Sequence, residues 1–360
     1  MVRIPPAEIQ PFVEDACLAM GCSGETASAV AESLVLSDRQ GHDSHGVFRV
    51  AYYMERVERG VIDPTATPTV ERGENGTTVV DGHAAFGQHV GRVATEELVR
   101  QATDGVGVVG ITNSAHLGRI GEWAQRVARE GLLFVALVKG TNQTVAPPKS
   151  AERCFSTNPL AFGVPTFDAL PFQIVVDIAT SQVANGKIRT KAKDGEPIPE
   201  GWAIDDDGEP LLDAEAFIEG AGASLPLGGT VTGHKGFGLG VAAELFASIV
   251  GDTPVIGQGD YNGNAAAFLA VDPRVFLPVE MIESRVASLA ALVRNADYIE
   301  SENVGLLPGE PEYLAEVDTE ERGIPVAPGI ADGLRTVAER YDLESSLPAE
   351  VRDDRADGGS

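Results

Sequence analysis

Three of the six histidines stand where side chains do chemistry. His42 and His45 flank Asp43 and Ser44 in the run Gly41-His42-Asp43-Ser44-His45-Gly46, at the entrance to a helical stretch, and His116 follows the apolar run 106–112 at the entrance to another. Imidazole is the side chain that exchanges protons near neutrality, and the positive end of a helix dipole disfavours its protonated form, leaving a neutral base available. His45 is therefore the candidate acid/base, and His116 stands at a favoured site position. Arg49 follows His45 by four residues, a spacing that shares one helix face, and its guanidinium can grip a carboxylate through two parallel hydrogen bonds. A base beside a carboxylate clamp describes a site for a 2-hydroxy or 2-oxo acid; a surface salt bridge from Arg49 to Glu32 or Glu55 is the other reading. Asp43-Ser44-His45 also suggests a hydrolase triad, but adjacent side chains on one turn rarely converge and no G-x-S-x-G elbow is present. His83, His89 and His234 are read as structural.

Three further segments are polar or glycine-rich where a nucleotide could lie: Asp177-Ile178-Ala179-Thr180-Ser181, Gly233-His234-Lys235-Gly236-Phe237-Gly238 and Pro308-Gly309-Glu310. The middle one leads into an apolar helix from about Phe237, whose first amides, with Lys235, could hold phosphate. Gly105-Val106-Gly107-Val108-Val109-Gly110 satisfies G-x-G-x-x-G, yet a helix precedes it and a strand contains it, the reverse of the dinucleotide fingerprint. Asp205-Asp206-Asp207-Gly208 lacks the ligand spacing and distal Glu of a calcium loop and reads as an acidic turn. Asn185-Gly186-Lys187-Ile188 has neither the upstream glycine nor the Ser or Thr of a triphosphate loop. No metal site is expected.

The elements that must position these residues follow from periodicity. Phe12, Val13, Ala16 and Met20, then Val30 and Leu34, then Val47, Val50, Met54 and Val57 predict three opening helices, the third ended by Gly60. Two strands around Glu74-Asn75-Gly76 predict a hairpin, because Asn-Gly supplies positive φ. Helices near 88–103 and 118–130 alternate with strands near 106–112, 132–138, 160–165 and 173–178, and helical stretches follow from 237 and 279. These imply a helical part over 1–72, an α/β part over 73–230, a mainly helical part over 231–345 packing with the first, and an acidic tail over 346–360. With 360 residues the chain is long enough for two packed units. Fifty-four acidic against 27 basic residues give a charge of −27, which disfavours nucleic acid and anionic membrane as partners. Lysine occurs only at 139, 149, 187, 191, 193 and 235, a balance that suggests a salt-rich cytoplasm. Three cysteines without paired spacing indicate neither disulfides nor zinc. No apolar stretch reaches the ~20 residues of a membrane span, and the reading is of a cytoplasmic protein.

Taken together, the ordered motifs resemble the type-2 malate/L-lactate dehydrogenase family, which also contains ureidoglycolate dehydrogenases, sulfolactate dehydrogenases, diketogulonate reductases and piperideine-2-carboxylate reductases. The carrying elements are Gly41 to Val47 with Arg49, Ser114-Ala115-His116-Leu117-Gly118-Arg119-Ile120-Gly121, Thr157-Asn158-Pro159, Asp177 to Ser181 with Gly186-Lys187-Ile188, Ile198 to Ala203, Leu225-Pro226-Leu227-Gly228-Gly229, Lys235 to Leu239 and Pro308-Gly309-Glu310. The resemblance implies an α/β fold with a mixed-sheet, non-Rossmann NAD(P)-binding domain, a helical domain built from N- and C-terminal segments, and a homodimer. It implies oxidation and reduction of a small 2-hydroxy/2-oxo acid, malate or L-lactate first, with a ureidoglycolate or sulfolactate dehydrogenase, or a non-catalytic cofactor-binding protein, as the alternative. His45 or His116 would exchange the proton, Ser44 and Asp43 would orient the imidazole, and Arg49 with Thr157 would hold the substrate. NAD, or NADP, would be held by Thr141, Asp177, Ala179, Thr180, Ser181, Lys235, Gly236, Pro308, Gly309 and Glu310. Ala115-His116-Leu117 and Pro147-Pro148-Lys149-Ser150 depart from the family pattern on the substrate side, which leaves the identity of the acid open.

Overall fold

The computed structural model describes residues 2–74, 76–103, 105–193, 195–259, 263–299 and 305–352. A short strand β1 (Val2–Ile4) precedes α1 (Pro6–Ala19), α2 (Gly24–Arg39) and α3 (Arg49–Glu58). Ile9, Phe12, Val13 and Ala16 of α1 are fully buried at helical spacing, and Ser23 caps α2 by accepting the Thr26 N–H at 3.1 Å. The hairpin of β2 (Thr69–Arg72) and β3 (Thr78–Asp81) leads to α4 (Gly87–Ala102), β4 (Val106–Ser114), α5 (Ile120–Arg129), β5 (Leu133–Lys139), β6 (Leu160–Val164) and β7 (Ile174–Ile178). Asn75 of the expected hairpin turn lies outside the described residues; Gly76 has φ +76°. Next, α6 (Asn185–Lys193), β8 (Ala203–Ile204), α7 (Ala214–Glu219) and β9 (Ala223–Ser224) surround a small cluster of Val183, Ile188, Ile198 and Phe217. The chain then runs through α8 (Gly229–Val250), β10 (Asn264–Val271), α9 (Val279–Arg294), α10 (Glu310–Arg322), β11 (Ile324–Val326), α11 (Pro328–Tyr341) and α12 (Ala349–Arg352).

Seven strands form one mixed sheet in the order β2-β3-β4-β10-β5-β6-β7, in which β3 and β4 run parallel and the other neighbours antiparallel. The glycines dismissed as a nucleotide fingerprint explain its two-sided packing. A Cβ on Gly107 would lie 2.8 Å from Leu98 O of α4, and one on Gly110 would lie 2.1 Å from Val250 O of α8. Residues three apart on a strand face opposite ways, so α4 and α8 press on opposite faces of β4. Trp123, Phe134, Phe268, Leu98 and Ile111 fill this core. A second core joins the opening helices to the chain's end: Val30, Leu34, Val50 and Tyr53 pack with Ile324, Leu334, Val337, Leu347 and Val351, and β1 pairs with β11.

Two features were not read from the sequence. The part over 231–345 also supplies β10, which lies at the centre of the sheet with Ala265, Ala266, Ala267 and Phe268 fully buried between β4 and β5. Its alanines favour helix locally, and burial between two strands overrides that preference. The stretch 346–352, expected as part of a tail, is packed structure. Leu347 (3 % exposed) and Val351 (fully buried) anchor α12 in the helical core, and only 353–360 fall outside the described residues.

Candidate active site

The turn between α2 and α3 is short and heavily tied. His42 N–H donates to Ser37 O (2.8 Å), Gly41 N–H to Asp38 O (3.0 Å) and Gly46 N–H to Asp43 O (3.1 Å), closing a 3-10 turn over Asp43–His45. Asp43 Oδ1 accepts the Ser44 N–H at 2.8 Å, so this carboxylate braces its own turn and does not touch the imidazole as the resemblance implied. Ser44 Oγ lies 3.1 Å from His45 Nδ1 and can fix the ring, leaving Nε2 for another partner. Gly46 is extended, so His45 and Arg49 do not share one continuous helix. Arg49 reaches back instead, its Nε donating to Ser44 O at 2.7 Å, while its guanidinium lies 5.4 Å from the centre of the Tyr52 ring. Among the described residues Arg49 makes no salt bridge.

His116 arrives from the other core, on the loop between β4 and α5, and stacks on His45 with ring centres 5.5 Å apart and planes 25° from parallel. Its partners determine its proton. Gln88 Nε2 donates to Tyr53 Oη (2.7 Å), which leaves the phenol hydrogen for His116 Nδ1 (3.1 Å), and the Gly118 N–H approaches the same nitrogen at 3.3 Å. Nδ1 is therefore an acceptor, and a neutral His116 carries its hydrogen on Nε2. Tyr53 and Gln88, both buried, were missed in the sequence; an aromatic on the inner face of α3 reads as core, and only the tertiary contact reveals its second role.

Both imidazoles are partly exposed, yet protein crowds around each. Burial, then the Arg49 charge, then His42 and Arg119, push His45 down to about 3. Burial, then Arg49, His45 and Arg56, hold His116 well below the usual imidazole range. Desolvation and nearby cations thus keep both rings neutral, rather than the helix dipole alone.

Several of the other singled-out residues lie on or beside β7, an edge strand of the sheet. Asp177, at the end of β7, accepts the Gly121 N–H of α5 at 2.7 Å, a carboxylate on a helix N-terminus. Thr180 N–H and Oγ1 both donate to Thr157 O (2.9 and 3.0 Å), Leu227 N–H donates to Thr180 O (2.9 Å), and Ser181 Oγ donates to Val183 O (2.7 Å). Ala179, Thr157 and Thr141 are partly exposed. Pro308 O accepts from Val175 N–H of β7 at 3.2 Å, and a Cβ on Gly309 would lie 2.3 Å from Gln173 O, so 308–310 docks against β7. Glu310 is already engaged, with Leu307 N–H (3.0 Å) and Arg294 (2.8 Å). The glycine-rich segment expected ahead of a helix lies inside α8, which starts at Gly229, breaks at Thr232 and resumes. Gly233 to Gly236 form the first turn after the break, with Lys235 exposed. His42 ties the histidine turn to this region by meeting Glu312 of α10 at 3.1 Å.

A family model described as malate/L-lactate dehydrogenase matches residues 4–335. The chain is 33% identical over 353 residues to the malate dehydrogenase of Pyrococcus abyssi, covering 95% of this chain and 96% of the relative. It is 31% identical to the Delta(1)-pyrroline-2-carboxylate/Delta(1)-piperideine-2-carboxylate reductase of Pseudomonas putida, covering 93% of this chain and 96% of that one. Its fold superposes on the crystal structure of malate dehydrogenase from Entamoeba histolytica with a TM-score of 0.89 at 25% identity, covering 96% of this chain and 99% of that one.

Proposed function

The chain belongs to the malate/L-lactate dehydrogenase family and is an oxidoreductase of that family, and from this premise we propose that it moves a hydride between NAD and a small 2-hydroxy/2-oxo acid, malate or L-lactate first. One observation carries the reading: two stacked, neutral imidazoles face a guanidinium that has no carboxylate partner among the described residues. Arg49 holds the substrate carboxylate, and we assign Thr157 a second substrate contact. Neutral His45 takes the hydroxyl proton as the C2–H bond breaks, with Ser44 steadying its ring, and His116 offers its Nε2–H to the substrate oxygen. Arg49 is the second cause that keeps His45 a weak base; a substrate carboxylate bound there cancels that charge and makes His45 more basic when it is needed.

The residues present suit a nicotinamide nucleotide. Asn185 Oδ1 is buried without a partner while its Nδ2 donates to Thr144 Oγ1 (3.0 Å), and the adjacent Gly186 abuts Ser44; a carboxamide N–H would satisfy that oxygen. The turn Gly233–Gly236 with Lys235 suits a diphosphate. We assign Asp177, Ala179, Thr180, Ser181, Thr141, Pro308, Gly309 and Glu310 to the remaining cofactor contacts, on a sheet without the parallel nucleotide-binding repeat. When bound, the nicotinamide supplies the hydride acceptor or donor. Apolar side chains left in solvent support a homodimer: Val231 is 85 % exposed, Ile249 75 % and Leu292 71 %. No helix among the described residues is long and apolar enough to cross a membrane, and we propose a cytoplasmic enzyme of a salt-rich cell.

A panel at 340 nm tests this, crossing NADH and NADPH with oxaloacetate, pyruvate, 3-sulfopyruvate and a cyclic imino acid, and running the hydroxy acids in reverse. Oxidation of one nicotinamide by one acid is expected. The reductase relative makes the imino acid the second reading, and silence across the panel with demonstrated nicotinamide binding would favour a non-catalytic binder.

A further inference from the structure

We infer that Asp38 is a positioning residue for the histidine turn, and that position 46 is glycine because the Asp38 carboxyl fills the volume a Cβ would take. The inference rests on the reading of His45 as the acid/base. Asp38 sits on the last turn of α2, 5 % exposed, and its Oδ2 accepts the Val47 N–H at 2.8 Å. A Cβ on Gly46 would lie 1.7 Å from Asp38 Oδ1, 2.1 Å from Cγ and 2.4 Å from Oδ2, and these are its three nearest atoms. Gly46 has φ −87° and ψ −155°, extended backbone open to any residue, so conformation alone does not require glycine here. The steric conflict is with one side chain.

That contact governs the geometry downstream. Backbone bonds from Gly41 and His42 to α2 hold the entrance of the turn, and the Asp38 side chain holds its exit. Between them stand Ser44 and His45, and just beyond, Arg49 N–H donates to Gly46 O (2.9 Å) as α3 begins. One buried carboxyl therefore sets the positions of both the imidazole and the guanidinium. Burial, with Asp43 adding, pushes this carboxyl up to about 8, so at neutral pH it is largely protonated and asparagine imitates it closely. Relieving a 1.7 Å approach parts the turn and the Asp38 carboxyl by more than an ångström and breaks the hold on Val47, and a displacement of that size at a reacting group costs on the order of 100-fold in rate.

The test compares Gly46→Ala, Asp38→Ala, Asp38→Asn, the double variant Asp38→Ala with Gly46→Ala, and His45→Ala, each with active sites counted by NADH fluorescence titration. Gly46→Ala is expected to lose about 100-fold in kcat with little change in nicotinamide Kd. Removing the Asp38 carboxyl in the same chain is expected to restore at least tenfold, and Asp38→Asn to stay near wild type. If Gly46→Ala does not fold, recovery of a cooperative melt in the double variant supports the conflict as assigned. A double variant worse than Gly46→Ala, in kcat or in folding, overturns it, as does a Gly46→Ala enzyme with wild-type kcat. Turnover retained by His45→Ala removes the acid/base reading alone and leaves the suppression pattern to decide the steric claim.

Discussion

At the scale of single residues, the proposed acid/base role of His45 ties activity and stability to pH in a way that can be measured. Its folded value of about 3 lies below that of a free imidazole near 6.5, so the free enzyme keeps a neutral base throughout the mildly acidic range. The pH profile of kcat/KM for hydroxy-acid oxidation is accordingly expected to show no limb near 6.5 from this residue, and a wild-type limb there that vanishes in His45→Ala would contradict the assignment. The same shift is linked to folding. An imidazole depressed in the folded state binds fewer protons than when unfolded, so stability is full above about 6.5 and falls as pH drops toward 3. His45, Arg49 and His116, which the structure brings together, were singled out because imidazoles at helix entrances and a guanidinium four residues on suggest proton exchange and carboxylate binding. Asp38, Tyr53 and Gln88 were not, because their roles depend on contacts that form only when α2, α3 and α4 pack.

At the scale of elements, local patterns led to most helices and to the strands flanked by turns, since period and capping are properties of short windows. The central strand β10 escaped, because its partners β4 and β5 lie more than a hundred residues upstream and an alanine-rich run carries no mark of them. Asn158 shows how such distant elements are held beside the site. Fully buried at φ +29°, it accepts the Gly140 N–H at 3.0 Å and donates to Gly240 O at 3.2 Å and Glu244 Oε2 at 2.9 Å, joining the start of β6 to the end of β5 and to α8. Asn158→Ala would leave a buried amide, a carbonyl and a carboxylate oxygen each short of a partner. Urea unfolding is expected to show a loss of roughly 3 kcal/mol; a loss below about 1 kcal/mol would mean that water replaces the amide there.

At the scale of the whole molecule, charge and exposed apolar surface make opposing demands. A net charge of −27 repels itself, whereas Val231, Ile249, Leu292 and Phe276 favour association. Raising KCl from 0.1 M to 1 M shortens the screening length from about 10 Å to about 3 Å, which weakens the repulsion and lets apolar association prevail. Melting temperature is expected to rise over that range, and sedimentation in molar KCl to give twice the mass of one chain. A melting temperature that falls with salt would remove the saline reading, and a monomer at high salt the dimer.

The measurement closest to the central claim is turnover of His45→Ala at 340 nm, with the acid and nicotinamide that the wild-type enzyme uses, beside fluorescence titration of the same variant with NADH. The expected result is nicotinamide affinity within about threefold of wild type, with kcat lowered by at least 100-fold. Full turnover with unchanged affinity would contradict the account and move the acid/base role to another residue, with His116 the next to substitute.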